Sequence, residues 1–166
     1  ADMFGSFNEA DGGVIDALAA AVAGLTEAGQ VYLPLGVGGH IDHGVTRRAG
    51  GRAFQDVVYY EDYPYTMTPG ALEAVLPVAA RGEWQPETIW LTKTALVGKI
   101  ESVSAYRSQI SSFFTGLDDL AAKLREEGQR VIADARADGE MVPSWAVGAE
   151  QIWRRRSAFT LPSFEE

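Results

Sequence analysis

Apolar residues recur at 14, 18, 22 and 25, the spacing of one helix face, and predict a helix over residues 14–28 that Gly29 closes as a C-cap. The short apolar run Val31-Tyr32-Leu33-Pro34-Leu35 predicts a buried strand over 30–35, and Val57-Val58-Tyr59-Tyr60 a second over 56–60. Between them a glycine-rich polar turn leads into a helix-like stretch over 46–54. A third strand is predicted over 87–92. Long helices are predicted over 94–114 and 117–137, the latter apolar at 117, 120, 124, 131 and 132. The tail 143–156, which carries Trp145 and Trp153, reads as a last helix.

Helix, strand, turn, helix, strand is the rhythm of an α/β fold with a parallel sheet, where binding sites gather beyond the carboxyl ends of strands. If the first two strands are parallel neighbours, the turn after Leu35 and the pair Glu61-Asp62 share one edge of that sheet. Three strands are few, since about five or six are usual, so further strands are expected on the N-terminal side. No repeat or linker divides the chain, and 1–166 reads as a single domain.

Composition narrows the partners. The 14 Lys+Arg and 23 Asp+Glu leave a net charge of −9, which repels nucleic-acid phosphates and anionic membranes. The short cluster Arg154-Arg155-Arg156 does not outweigh that field. With no cysteine there is no disulfide, thiolate ligand or thiol nucleophile, which suits a cytoplasmic protein. No stretch approaches the roughly 18 apolar residues of a membrane span. The chain starts at Ala1 rather than at a methionine and is expected to be a piece of something longer.

Both histidines of the chain fall on one turn, Gly36-Val37-Gly38-Gly39-His40-Ile41-Asp42-His43. Collecting the only imidazoles around a carboxylate, just past a strand, points to a metal or acid/base site. Side chains so close in sequence diverge, so His40, Asp42 and His43 do not readily ligate one ion together. Further ligands are then carboxylates such as Glu61 or Asp62, or residues outside this chain. The glycines allow positive φ angles and close backbone approach to a ligand, which makes Gly38 and Gly39 candidate substrate contacts.

The run Leu33 to His43, the segment Tyr60-Glu61-Asp62-Tyr63-Pro64-Tyr65, the stretch Lys99 to Ile110 and the late Glu150-Gln151-Ile152-Trp153 together resemble the C-terminal portion of the PIG-L/LmbE-like deacetylases. The resemblance implies a Rossmann-like, mostly parallel sheet flanked by helices, and zinc-dependent (Zn2+) hydrolysis of an N-acetyl group from an amino sugar such as N-acetylglucosamine. It implies His43 as a zinc ligand, His40 as the acid or electrostatic stabiliser over the reacting carbonyl, and Asp42 as the residue that orients the catalytic groups. Glu61, Asp62, Tyr63 and Tyr65, just after the second strand, are candidate substrate contacts by their own position, the two tyrosines as a pocket rim. The family's opening Ala-His-Pro-Asp-Asp-Glu segment, which supplies two ligands and the general base, does not occur here. An N-terminal segment or a second chain is therefore expected to complete the site, and a homo-oligomer is one way to do so.

Two other readings compete. A metallo-β-lactamase-like site needs a histidine at position 38, which is glycine. A non-enzymatic reading makes the chain an inactive fragment or a carbohydrate-binding module, with Tyr59, Tyr60, Tyr63 and Tyr65 as stacking surfaces.

Overall fold

Two of the predicted apolar runs pair side by side. Strands β1 (Val31–Pro34) and β2 (Val57–Tyr60) are parallel, with Val31 opposite Val57 and Pro34 opposite Tyr60. Val57, Val58 and Tyr59 are all buried, the continuous burial of a strand covered on both faces. Helix α2 (Ile41–Ala53) connects the pair and packs on β1, where Gly50 lies so close to Leu33 that a Cβ there would fall 2.4 Å from Leu33 Cδ1.

The structure, a computed structural model, describes residue 4 and residues 9–25, 29–77 and 82–156. Among these, two more strands, β3 (Trp84–Leu91) and β4 (Gly148–Arg155), complete a four-stranded sheet in the order β1-β2-β4-β3. Strand β4 runs antiparallel to both of its neighbours. The fold is α/β as expected, but the sheet is mixed rather than mostly parallel.

The reason is the tail, which is an inner strand and not the expected last helix. Its burial alternates in pairs, with Gly148, Ala149, Ile152 and Trp153 buried. Apolar positions three and four apart imitate a helical face. Glu, Gln and Arg between them favour helix locally, and pairing with β2 and β3 overrides that preference.

The other helices are α1 (Glu9–Val22), α3 (Ala71–Val75), α4 (Lys93–Ser104), α5 (Arg107–Phe113) and α6 (Leu117–Ala137). Helix α6 spans the expected residues. Helix α1 starts earlier and stops before Gly29, and the remainder of the expectation, 26–28, lies outside the described residues. The expected helix 94–114 is two helices, broken at Ala105-Tyr106. There Ser102 and Ser104 turn their hydroxyls back onto the carbonyls of Gly98 and Ile100, and Tyr106 leaves helical geometry at φ −79, ψ 54.

The main core joins Leu33, Leu35, Val37, Val57, Tyr59, Leu76, Trp84 and Trp153. Leu35 and Val37 are fully buried, so the turn that carries the histidines is anchored in the core at its first step. Helix α6 packs on β4 through a glycine pair, Gly128 against Gly148. Among the described residues, no helix is long and apolar enough to cross a membrane.

Candidate functional site

Parallel pairing of β1 and β2 brings the chain just after each strand to the same edge of the sheet, and Asp62 exploits that. Its Oδ2 accepts the backbone N–H groups of Gly36 at 2.7 Å and Val37 at 2.8 Å. Its Oδ1 lies 2.6 Å from His43 Nδ1, and the Asp62 side chain is wholly buried. Arg47, one turn further along α2 than His43, donates to the Leu35 carbonyl at 2.6 Å while its guanidinium lies over the rings of Tyr59 and Trp84. Burial holds the Arg47 pKa below its ordinary value. The turn is thus fixed from both sides, its N–H groups by Asp62 and its strand-end carbonyl by Arg47.

The close contact of His43 with Asp62 lacks the alignment of a full hydrogen bond, and neither atom has a hydrogen-bond partner among the described residues. Two lone pairs do not approach to 2.6 Å, so the proton resides on His43 Nδ1. Its Nε2 then carries a free lone pair. A carboxylate behind a histidine in this way sets the tautomer and raises the basicity of a metal-ligating imidazole.

His40 is arranged the opposite way. It is the N-cap of α2, and its Nδ1 accepts the Asp42 backbone N–H at 3.2 Å, satisfying one of the unpaired donors at the helix start. A neutral His40 therefore carries its proton on Nε2. The two rings lie 5.1 Å apart. The Asp42 carboxylate is 82 % exposed and 4.0 Å from His40 Nδ1, so the backbone of Asp42, not its side chain, makes the hydrogen bond to His40.

The segment after β2 presents its side chains to two flanks. Asp62 and Tyr65 face the histidine turn. The Tyr65 ring stands edge-on to His43 at 5.7 Å and to Phe113 at 5.6 Å. Burial, and secondarily the Asp62 charge, push the Tyr65 phenol above its ordinary pKa, so at neutral pH it is a donor. Glu61 instead accepts Trp153 Nε1–H at 2.9 Å and pairs with Arg130 at 3.6 Å. Burial raises the Glu61 pKa against the lowering effects of Trp153 and Arg130. Tyr63 stacks on Phe114 beneath Lys99. Glu61 and Tyr63 line a cleft of about 370 Å³ with Lys99, Glu127 and Glu150, a cleft that neither imidazole borders.

The structure therefore gathers Gly38, His40, His43, Asp62 and Tyr65, with Gly39 in the same turn, and leaves Glu61 and Tyr63 on the other flank. Gly38 is filled by protein, since a Cβ there would lie 2.4 Å from Tyr65 Cγ. Sequence reasoning did not single out Arg47, Phe113 or Arg130. Only Arg130 left a signal, as the centre of Glu127 and Asp134 at helical spacings of three and four.

Among the described residues, no three His, Asp or Glu side chains converge as a metal cage. The donor chemistry fits one ligand, His43 Nε2, backed by Asp62, and does not close a coordination shell.

No family model matches the chain, and no curated protein matches it by sequence. Solved structures share its fold. Teicoplanin deacetylase Orf2, in a zinc-inhibited form, superposes with a TM-score of 0.69 at 17 % identity over 93 % of this chain and 56 % of that one. The A40926 pseudoaglycone deacetylase Dbv21 superposes with a TM-score of 0.62 at 21 % identity over 89 % of this chain and 58 % of that one. The chain thus spans little more than half the length of these two proteins.

Proposed function

We propose that this chain forms the larger part of a zinc-dependent N-deacetylase of the PIG-L/LmbE-like kind, a cytoplasmic enzyme that removes the acetyl group from an N-acetylglucosamine-type amino sugar. One observation carries the reading: the Oδ1 of buried Asp62 lies 2.6 Å from His43 Nδ1, a contact that favours the proton on Nδ1 and leaves Nε2 to ligate. The likeness in fold to two deacetylases supports it.

His43 Nε2 would hold the metal, with its remaining ligands supplied by a segment or chain outside these residues. When bound, the ion would supply Lewis-acid polarisation of the amide carbonyl and a water nucleophile active near neutral pH. Beside it, His40 presents Nε2–H as a donor to the charge that develops on the acetyl oxygen. A protonated His40 could then pass a proton to the departing amine. Asp42, exposed in the first turn of α2, complements the helix dipole, and its backbone N–H holds the orientation of the His40 ring.

The test is acetate release from N-acetylglucosamine glycosides by the whole parent gene product, alongside its metal content. Release that disappears on chelation and returns with Zn2+ is expected. Intact metal without release from any N-acetylamino sugar gives the chain to the carbohydrate-binding reading, which the aromatic ring of Tyr65 beside the imidazoles would then serve.

A further inference from the structure

Gly38 is held at φ +82, a backbone conformation that side chains resist, and it is glycine for a second reason as well. An ideal Cβ at this position would lie 2.4, 2.5 and 2.6 Å from Tyr65 Cγ, Cβ and Cδ1. Those atoms are the root of the tyrosine side chain, which cannot swing aside without moving its backbone. That backbone is tied down, because the Tyr65 N–H donates to the Asp62 carbonyl at 2.8 Å and the Tyr65 carbonyl accepts the Thr68 N–H at 3.1 Å. The residue that fixes His43 therefore also fixes this ring, and the histidine turn gives up a side chain to seat it.

Tyr65 packs at the rim of the main core and stays partly exposed, with the Phe4 ring edge-on to it at 6.1 Å and the Phe113 ring, 38 % exposed, edge-on at 5.6 Å. A rigid aromatic surface next to two polar imidazoles matches the two-sided chemistry of a pyranose, whose C–H face is apolar and whose rim is hydroxylated.

We infer that Tyr65 is the specificity-determining platform of this site, receiving the apolar face of a pyranose ring, and that Gly38 is the position that makes room for it. This rests on the deacetylase reading for the identity of the sugar.

The experiment titrates the whole parent gene product with methyl N-acetyl-β-glucosaminide by ligand-observed NMR, with N-methylacetamide as an acetyl-bearing probe that has no ring. Tyr65→Phe keeps the platform and should retain sugar affinity within about threefold, whereas Tyr65→Leu removes the flat face and should weaken it by roughly tenfold. Gly38→Ala should weaken it comparably, and should add little in the Tyr65→Leu background. N-methylacetamide binding should ignore all three changes. Circular dichroism establishes that each variant is folded. No sugar binding by the wild type, equal affinity in Tyr65→Leu, or independent effects at 38 and 65 would overturn the inference. Metal retention by the parent gene product is scored separately. Retention with sugar binding indifferent to Tyr65 defeats the platform alone, and sugar binding through Tyr65 without metal defeats the deacetylase reading alone.

Discussion

His40 and His43 sit 5.1 Å apart, ring to ring, yet their partners select opposite tautomers. A backbone N–H donates into Nδ1 of His40, and a buried carboxylate oxygen lies 2.6 Å from Nδ1 of His43. One neutral ring then offers a donor and the other a lone pair, as the proposed roles of acid and ligand require.

Asp62→Asn should separate orientation from packing. An asparagine can still accept from Gly36 and Val37, but its NH₂ group then faces His43 Nδ1 and drives the proton to Nε2. Metal affinity of the parent gene product should fall by about 10- to 100-fold with modest loss of stability. Asp62→Ala also strands the buried N–H of Val37 and the part-buried N–H of Gly36 and should cost about 3 kcal/mol in urea unfolding. Equal metal affinity in Asp62→Asn and wild type would count against the orienting role.

Arg47→Met removes the donor to the Leu35 carbonyl and the cation over Tyr59 and Trp84. Stability should fall by about 1–3 kcal/mol, and the amides of Gly36 and Val37 should exchange faster. Unchanged exchange at those two amides would mean that Arg47 does not hold the turn.

Two glycines in helices should respond with opposite signs. A Cβ at Gly128 would meet the Gly148 Cα at 3.2 Å and the Ala149 N at 3.4 Å, both backbone atoms of the inner strand β4. Gly128→Ala should destabilise by about 1–3 kcal/mol by prising α6 from the sheet. Gly98, inside α4, has nothing within 4 Å of its ideal Cβ. Gly98→Ala should stabilise by about 0.5–1 kcal/mol. Thermal unfolding of the two variants reads both signs.

Acid stability should depend on Glu127 and Glu61 in opposite directions. Burial opposes ionisation of Glu127, but hydrogen bonds from Arg130 Nε and Nη2 prevail and hold its pKa below the ordinary glutamate value of 4.5. Its contribution is present above that value and is lost as pH falls through the lower folded pKa. Burial raises the folded pKa of Glu61, so that group costs stability as pH rises and gives it back on acidification. Glu127→Gln should therefore flatten the loss of stability on the acid side, and Glu61→Gln should steepen it. Urea midpoints measured across that pH range test both slopes.

Much of the site was legible because its pieces are local. The glycine turn, both histidines and the strand before them lie within 13 consecutive positions, and strand pairing places Asp62 beside them as the parallel-neighbour expectation required. Which way each side chain of the 61–65 loop faces was not legible. Glu61 and Asp62 are alike as sequence, and only the distant Trp153 and Arg130 draw the first away from the histidines. Strand β4 was hidden for the same reason, since its identity comes from two neighbours remote in sequence and its own pattern imitates a helix.

The most direct test is long-range ¹H–¹⁵N NMR of the imidazole nitrogens at a pH where both rings are neutral. His43 should be protonated at Nδ1 and His40 at Nε2, with the His43 preference reversed by Asp62→Asn. A wild-type His43 protonated at Nε2 would contradict that assignment.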